Sequence, residues 1–383
     1  MQRLTGQKRL NQKRSHQKRF SLRYSFWLMI TMLGLASLSC GCNSNSRKIK
    51  INGGGSTFVM PMMQDWIDAY ENEITQGSKD KVMIDYQGGG SGTGIKQMTE
   101  KVLFYGCSDA PMNREQIEIA KKQGGDVIHI PLVIGAVVLS YNLPDIHEPI
   151  VLSGEVIAKI FLRKIEFWND PEIQKLNPKL QFPKDLGITP IVRADASGTS
   201  NVFTEYLVKV SKDFGKVVKP STTPNWPNAL TKERESNGVI QAVAKTPGAI
   251  CYVELNYALQ NKIGVAKVIN QSGKEIAPDL DSITAAAEAC LDKNQTMEPY
   301  SLHSLTYSLT NAPGENSYPI STLSYCIFYQ KLEKKNGKAL VDFLRWCSTD
   351  GQKLVGKKDY APMPPSLQKQ IVQRLTEVKF IEQ

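Results

Sequence analysis

Residues 188–200 have the sequence ITPIVRADASGTS, which joins a short apolar strand to a polar turn and the start of a helix. Beyond the turn, apolar residues recur at helical spacing: Val202, Phe203, Tyr206, Leu207 and Val210. Thr199 or Ser200 is the expected N-cap, because a hydroxyl there can accept a backbone N–H of the first turn. Pro190 cannot donate to a neighbouring strand, so we expect this strand to lie at a sheet edge or to begin pairing after the proline.

The turn between this strand and helix brings an arginine, a carboxylate and several hydroxyls close together in sequence. A helix start presents unpaired N–H donors and the positive end of the helix dipole, and both attract anions. With the guanidinium fork of Arg193 beside them, these groups predict a site for a tetrahedral oxyanion. The alternative is an ordinary capped helix with a surface arginine.

Two further units of strand, glycine-rich turn and helix lie near the N-terminal end. Apolar strands at 49–52 and 81–86 lead into glycine-rich turns at 53–58 and 87–94. A third strand, at 104–108, ends instead in a turn that carries Asp109. This alternation predicts an α/β fold with a parallel sheet and with ligands at the carboxyl ends of the strands.

Three longer segments complete the predicted organisation. Residues 131–142 are almost continuously apolar, which predicts a buried strand long enough to cross between two domains. Residues 269–318 are polar and rich in turn formers, and we expect them to form the return crossing. An amphipathic helix over 339–347 is expected to stop at Gly351, in the role of a C′ glycine.

The formal net charge of +10 comes mostly from the N-terminal end. Residues 1–24 contain eight lysines and arginines and no acid, whereas the remaining chain has 39 basic and 37 acidic residues. The folded body is therefore close to neutral, and nucleic-acid binding is not expected of it.

The basic segment and the apolar run that follows it at 25–38 have the pattern of a signal peptide. The run ends in SCGCN at 39–43, which resembles the lipobox of bacterial lipoproteins. We predict a signal peptide over 1–42, lipidation at Cys42, or alternatively at Cys40, and a tether over 43–50. An uncleaved anchor helix is the alternative, and both interpretations place the body outside the cytoplasm.

Motifs for catalysis and for metal binding are incomplete. Gly89 and Gly94 have the glycine spacing of a P-loop, but Ile95 stands where the P-loop requires lysine. The dinucleotide-binding motif also fails, because Ile95 stands at the position of its third glycine. Thr93 replaces the last glycine of a nucleophile elbow around Ser91. The four histidines are scattered, and the cysteines beyond the signal form no C-x-x-C pair. We expect no catalytic residue, no metal and no cofactor.

The turns instead share a chemistry suited to binding, with small residues, hydroxyls and helix N-termini. Only Asp109 adds a bare acid, and a carboxylate repels an anion unless that anion carries a proton to donate. This property separates hydrogen phosphate from sulfate and favours a protonated oxyanion. Taken alone, Asp109 would be a turn residue before Pro111.

The combination of motifs resembles the phosphate-binding lipoproteins and periplasmic proteins that deliver phosphate to ABC importers. The similar segments are GGGSTF at 53–58, YQGGGS at 86–91, SDAP at 108–111, RADASGTS at 193–200 and GAICYVE at 248–254. The resemblance covers roughly residues 50–370. It implies a type II periplasmic-binding-protein fold, in which two α/β domains joined by a hinge close on a ligand in the cleft.

The resemblance also implies the role of each site residue. Arg193 would be the bidentate cation, Asp195 would orient it, and Asp109 would accept the proton of the ligand. The neutral donors would be Thr57, Phe58 (through its amide), Ser91, Ser197, Gly198 and Thr199. Ser56 departs from the family, which often has alanine there, and Cys107 and Cys251 also replace smaller residues.

Domain limits and partners follow from the same resemblance. Domain I would comprise 51–141 and 312–383, and domain II would comprise 142–311. The expected partners are inorganic phosphate and the membrane permease of an ABC importer with its cytoplasmic ATPase, and we expect a lipid-anchored monomer. A secreted phosphatase that uses the same anion cradle, or a phosphate sensor without transport, are the alternative functions.

Overall fold

A mixed sheet of nine strands runs through the part of the chain that the structure describes. The computed structural model describes residues 47–382, apart from 76–79, 228, 229, 292 and 294. The predicted signal peptide, Cys40 and Cys42 lie outside these residues. Residues 47–50, placed in the tether by the sequence, form the beginning of the first strand.

The strands are β1 (Arg47–Gly55), β2 (Asp80–Gln87), β3 (Tyr105–Ser108), β4 (Val127–Tyr141), β5 (Val151–Leu152), β6 (Thr189–Arg193), β7 (Thr231–Glu233), β8 (Ala249–Glu254), β9 (Gly264–Val265), β10 (Lys267–Ile269), β11 (Glu275–Ile276), β12 (Ser321–Tyr329), β13 (Lys331–Glu333) and β14 (Lys379–Ile381).

The α-helices are α1 (Met60–Ala69), α2 (Ser91–Thr99), α3 (Arg114–Gln123), α4 (Gly154–Phe161), α5 (Pro171–Leu176), α6 (Gly198–Val210), α7 (Lys212–Val217), α8 (Glu235–Lys245), α9 (Leu255–Gln260), α10 (Leu280–Leu291), α11 (Lys334–Ser348) and α12 (Pro365–Leu375). A π-helical turn (Tyr70–Ile74) extends α1, and 3₁₀ helices occupy Tyr300–Leu302 and Asp350–Lys358. No helix in the described ranges is both long and apolar enough to cross a bilayer.

The first parallel group is β2-β1-β3, in which β1 pairs with both neighbours. Gly54 lies opposite Gln87 and Gly55 lies opposite Cys107, so the three strands end at the same edge. Each glycine-rich turn therefore opens on one side of the sheet, as expected for parallel strands connected by helices.

The second parallel group is β8-β6-β7. Strand β6 pairs with β8 from Thr189 onward but with β7 only from Ile191 onward. Pairing with β7 therefore begins after Pro190, which confirms one of the two predicted alternatives. The other alternative, an edge position, is wrong because β6 lies between β8 and β7.

Strand β4 connects the two groups and changes partner along its length. Residues 127–136 pair with β12, and residues 137–141 pair with β8, antiparallel in both cases. All of its residues but the first are buried, which confirms the predicted long buried strand. Because β12 is also antiparallel to β3, the predicted parallel sheet is correct only within the two outer groups.

The predicted domain limits fall near the ends of these central strands. Strand β4 ends at Tyr141, and β12 begins at Ser321. The division into 51–141 with 312–383 and 142–311 remains a prediction, because the described residues form one compact body.

Two sequence predictions about helices were wrong. Helix α6 is capped by Ser197, whose Oγ accepts the Ser200 N–H, so neither Thr199 nor Ser200 is the N-cap. Helix α11 ends at Ser348 and is followed by the 3₁₀ helix that contains Gly351, so this glycine is not a C′ residue. The segment 269–318, expected to form the return crossing, also contains α10.

Gly94 in α2 provides a test of how closely the first group packs. A β-carbon at Gly94 would lie 2.7 Å from Gly54 O and 2.9 Å from Cys107 O, both of them rigid backbone atoms. We predict that Gly94→Ala lowers the free energy of unfolding in urea by about 2 kcal/mol or more. Gly215→Ala in α7 is the matched control, since its nearest neighbour is Val208 Cγ1 at 3.5 Å. An equal loss of stability in both variants would contradict the predicted packing.

Candidate functional site

Arg193, the last residue of β6, forms a buried ion pair with Asp195. Its Nε donates to Asp195 Oδ1 at 2.8 Å, and its Nη2 donates to Oδ2. The two side chains are 3% and 4% exposed, so water screens the pair very little. Although burial raises the pKa of Asp195, the hydrogen bonds and charge of Arg193 lower it below its ordinary value, and the pair is ionised.

The N-terminus of α6 presents donors that have no partner within the described protein. The Ser197 cap occupies the Ser200 N–H, and Asn201 N–H donates to Ser197 O at 3.2 Å. The buried amides of Gly198 and Thr199 make no hydrogen bond within the described ranges. Thr199 Oγ1 is also buried without a partner. Such groups are costly when buried unpaired, which makes this helix end a strong candidate for binding an anion.

Gly198 brings this helix end against the first parallel group. A β-carbon at Gly198 would lie 2.4 Å from Ser91 Oγ and 2.7 Å from Asp109 Oδ2. Nearby, Gly92 N–H donates to Ala196 O at 2.9 Å. The turn after β6 is thus packed directly on the turns after β2 and β3, although they are about 100 residues apart in sequence.

Asp109 follows β3 and is fully buried. Ser56 Oγ donates to its Oδ1 at 2.5 Å, and Ser324 Oγ donates to the same oxygen at 2.8 Å. Within the described ranges, Oδ2 accepts only a long hydrogen bond of 3.5 Å from Ser91 Oγ. Burial raises the pKa of Asp109 from 3.8 to about 6, against the lowering effect of these hydroxyls and of Arg193.

The turn after β1 joins the site from another side. Thr57 Oγ1 lies 2.8 Å from Ser236 Oγ in α8, and Arg193 Nη1 donates to that same serine oxygen at 3.4 Å. Tyr257 OH donates to Thr57 O at 2.8 Å. The Phe58 amide donates to Ser56 Oγ at 3.0 Å. It therefore has a protein partner, and its predicted role as a donor to the ligand remains a prediction.

The structure gathers the predicted residues into one buried cluster from four turns of the sheet. Its members are Thr57, Ser91, Asp109, Arg193, Asp195, Ser197, Gly198 and Thr199, with the Phe58 amide at its margin.

Sequence reasoning assigned no site role to several hydroxyls that contact the cluster, among them those of Ser56, Ser236, Tyr257 and Ser324. Neither Ser324 nor Ser236 carried a distinct signal, and Ser324 is one of three serine or threonine residues in β12, with Ser321 and Thr322. Elsewhere in the described ranges, no group of three or more histidine, cysteine or acidic side chains is arranged to hold a metal ion.

Comparisons with known proteins identify the family of the chain. The family model for a PBP superfamily domain matches residues 43–350. The phosphate-binding protein PstS of Methanocaldococcus jannaschii is 34% identical over 347 residues, which cover 85% of this chain and 87% of that protein. PstS of Pasteurella multocida is 36% identical over 332 residues, which cover 86% of this chain and 91% of that protein.

Solved structures show the same fold at lower identity. A phosphate-binding protein from Stenotrophomonas maltophilia superposes with a TM-score of 0.62 at 19% identity, over 85% of this chain and 93% of that one. The high affinity periplasmic phosphate-binding protein PfluDING, bound with phosphate, gives a TM-score of 0.66 at 18% identity, over 84% of this chain and 92% of that one.

The fold and the enclosed cluster of donors define a binding protein of the periplasmic-binding-protein type. Within that class, the chain belongs to the family of the PstS phosphate-binding proteins.

The two carboxylates of the site should have opposite effects on stability as pH changes. The pKa of Asp109 is raised in the folded state, so its protonation stabilises the fold below its ordinary pKa, and this contribution is lost as pH rises towards 6. We predict that the stability of Asp109→Asn relative to wild type increases by about 2 kcal/mol between pH 4 and pH 7. Urea denaturation of the ligand-free proteins at each pH measures this difference.

Asp195→Asn is the paired variant. The pKa of Asp195 is lowered, so its contribution is present above the ordinary pKa and is lost as pH falls. We expect Asp195→Asn to destabilise the protein more at pH 7 than at pH 3. The same pH trend in both variants would contradict the assigned environments.

Proposed function

We propose that this protein binds inorganic phosphate outside the cytoplasm and delivers it to the permease of an ABC importer. The observation that carries the proposal is the contact of Asp109 Oδ2 with the N-terminus of α6 at Gly198. That contact joins an acceptor to unpaired donors in one small buried volume. The named function of the relatives, phosphate binding, supports the same ligand.

Neutral donors would supply most of the anion contacts. Arg193 is already paired with Asp195, so its positive charge is largely balanced before any ligand arrives. The remaining positive potential comes from backbone amides and the helix dipole at Gly198 and Thr199. Hydroxyls of Thr57, Ser91, Ser197 and Thr199 would complete the shell, together with the free edge of the Arg193 guanidinium.

Asp109 would select for an anion that carries a proton. With a pKa of about 6, its carboxyl group is mostly ionised above neutral pH and accepts a hydrogen bond from hydrogen phosphate. Sulfate has no proton to offer, so the same carboxylate would face it with charge repulsion and an unmade hydrogen bond. Selectivity therefore follows from hydrogen-bond chemistry, since the two anions are close in size and shape.

Closure of two domains would form the site. Under the predicted division, Thr57, Ser91 and Asp109 belong to domain I, whereas Arg193 and the α6 N-terminus belong to domain II. Contacts between the two sets include Thr57 with Ser236 and Gly92 with Ala196. We propose that the structure represents the closed arrangement and that β4 and β12 carry the hinge.

The same proposal covers the position and the role of the protein in the cell. We propose a monomer that is anchored through a lipid on Cys42, or alternatively on Cys40, and that holds phosphate without covalent chemistry. The relatives named as phosphate-binding proteins support binding over catalysis.

Isothermal titration with phosphate and with sulfate at pH 7.5 tests this function. We expect wild type to prefer phosphate by about 100-fold or more, because the unmade hydrogen bond and the charge repulsion both penalise sulfate. In Asp109→Asn, the preference should fall by about tenfold or more, because the amide can donate to sulfate.

Asp213→Asn is the matched control, since this exposed acid pairs with Lys164 and Lys216 far from the site in the fold. It should keep the wild-type preference. Equal affinity of wild type for the two anions, or full selectivity retained by Asp109→Asn, would contradict the proposal.

A further inference from the structure

The two oxygens of the Asp109 carboxylate have different surroundings. Oδ1 accepts hydrogen bonds from both Ser56 Oγ and Ser324 Oγ, at 2.5 Å and 2.8 Å. Oδ2 lies beside Gly198 and has only the long contact with Ser91. One oxygen is thus saturated by the protein, while the other is directed at the N-terminus of α6.

The direction of the Ser56 hydrogen bond is determined by a third group. Ser56 Oγ accepts the Phe58 N–H at 3.0 Å, so its own proton is available for Asp109. The Phe58 amide thus donates to the Ser56 hydroxyl, and the Ser56 hydroxyl donates to the Asp109 carboxylate. Alanine at position 56 could make neither bond.

Ser324 approaches Asp109 from the opposite strand. It lies on β12, which pairs with β3 directly before the Asp109 turn, where Tyr325 faces Ser108. Both hydroxyls therefore reach Asp109 from the two strands that pair with β3, directly after the end of β1 and in the middle of β12. Neither hydrogen bond involves a residue of the turn after β6.

We propose that Ser56 and Ser324 are positioning residues that determine which anion the site accepts, by keeping Asp109 ionised with Oδ2 directed at the ligand. This inference rests on the proposed function, because it assigns a cause to the selectivity of that site. Neither serine needs to touch the ligand, and each acts through Asp109.

The hydroxyls of Ser56 and Ser324 affect the pKa of Asp109, and the other groups near the carboxylate do not mask this effect. Burial raises the pKa of Asp109, and the hydroxyls of Ser56 and Ser324 lower it ahead of the charge of Arg193. Among the described residues, four buried phenols lie within electrostatic range of Asp109, and they stay neutral because burial raises their pKa values: Tyr86, Tyr257, Tyr325 and Tyr360. Removal of either hydroxyl therefore raises the pKa of Asp109.

Sulfate binding as a function of pH tests the proposal, because sulfate itself does not titrate between pH 5 and pH 8. In wild type, we expect sulfate affinity to increase as pH falls through the pKa of Asp109, since the protonated carboxyl becomes a donor. In Ser56→Ala and in Ser324→Ala, the midpoint of this increase should move up by about one pH unit. Titration calorimetry at half-unit pH intervals gives the midpoints.

Thr322→Val is the matched control. Its hydroxyl lies on the same strand as Ser324 but contacts the backbone carbonyl of Asp109, at 3.5 Å, and not the carboxylate. Its midpoint should equal that of wild type. A shift of similar size in Thr322→Val would show a general packing effect and would overturn the proposal.

Two further outcomes would overturn the inference in distinguishable ways. If wild type shows the transition and neither serine variant moves it, the role of the serines is wrong and that of Asp109 stands. If the wild-type profile is flat, the role of Asp109 in the proposed function is wrong, and the inference falls with it. Two independent serine variants keep the test decisive if one of them does not fold.

Discussion

The contact between the N-terminus of α6 and the carboxylate of Asp109 is the constraint on which the rest of the site depends. It places buried donors that lack partners among the described residues next to an acceptor. Alone, the helix end would favour any anion, and the carboxylate would repel all of them. Together they favour an anion that can accept several hydrogen bonds and donate one.

The fold serves this contact by joining two parallel groups of strands into one sheet through β12 and β4. Strand β4 connects the groups because its partner changes from β12 to β8 between Ala136 and Val137. The carboxyl ends of β1, β2, β3 and β6 consequently meet at one place. Glycine at 198 is what allows the final approach, since even one β-carbon would collide with Ser91 and Asp109.

Much of this arrangement could be predicted from the sequence, because the repeated order of strand, glycine-rich turn and helix is a local pattern. The turns were located correctly for the same reason. The choice of N-cap was wrong because Ser197, Thr199 and Ser200 all carry a suitable hydroxyl, and only the backbone conformation distinguishes them. Ser236 and Ser324 could not be assigned, since they reach the site from strands and helices that are distant in sequence.

The structure of the protein crystallised with phosphate at pH 7.5 would test the central claim most directly. We expect the anion between Asp109 and the start of α6, with one oxygen about 2.5–2.7 Å from Asp109 Oδ2 and others accepting the Gly198 and Thr199 amides. Asp109 Oδ1 should keep both serine hydroxyls. An anion bound elsewhere, or one with no oxygen within hydrogen-bond distance of Asp109 Oδ2, would contradict the account.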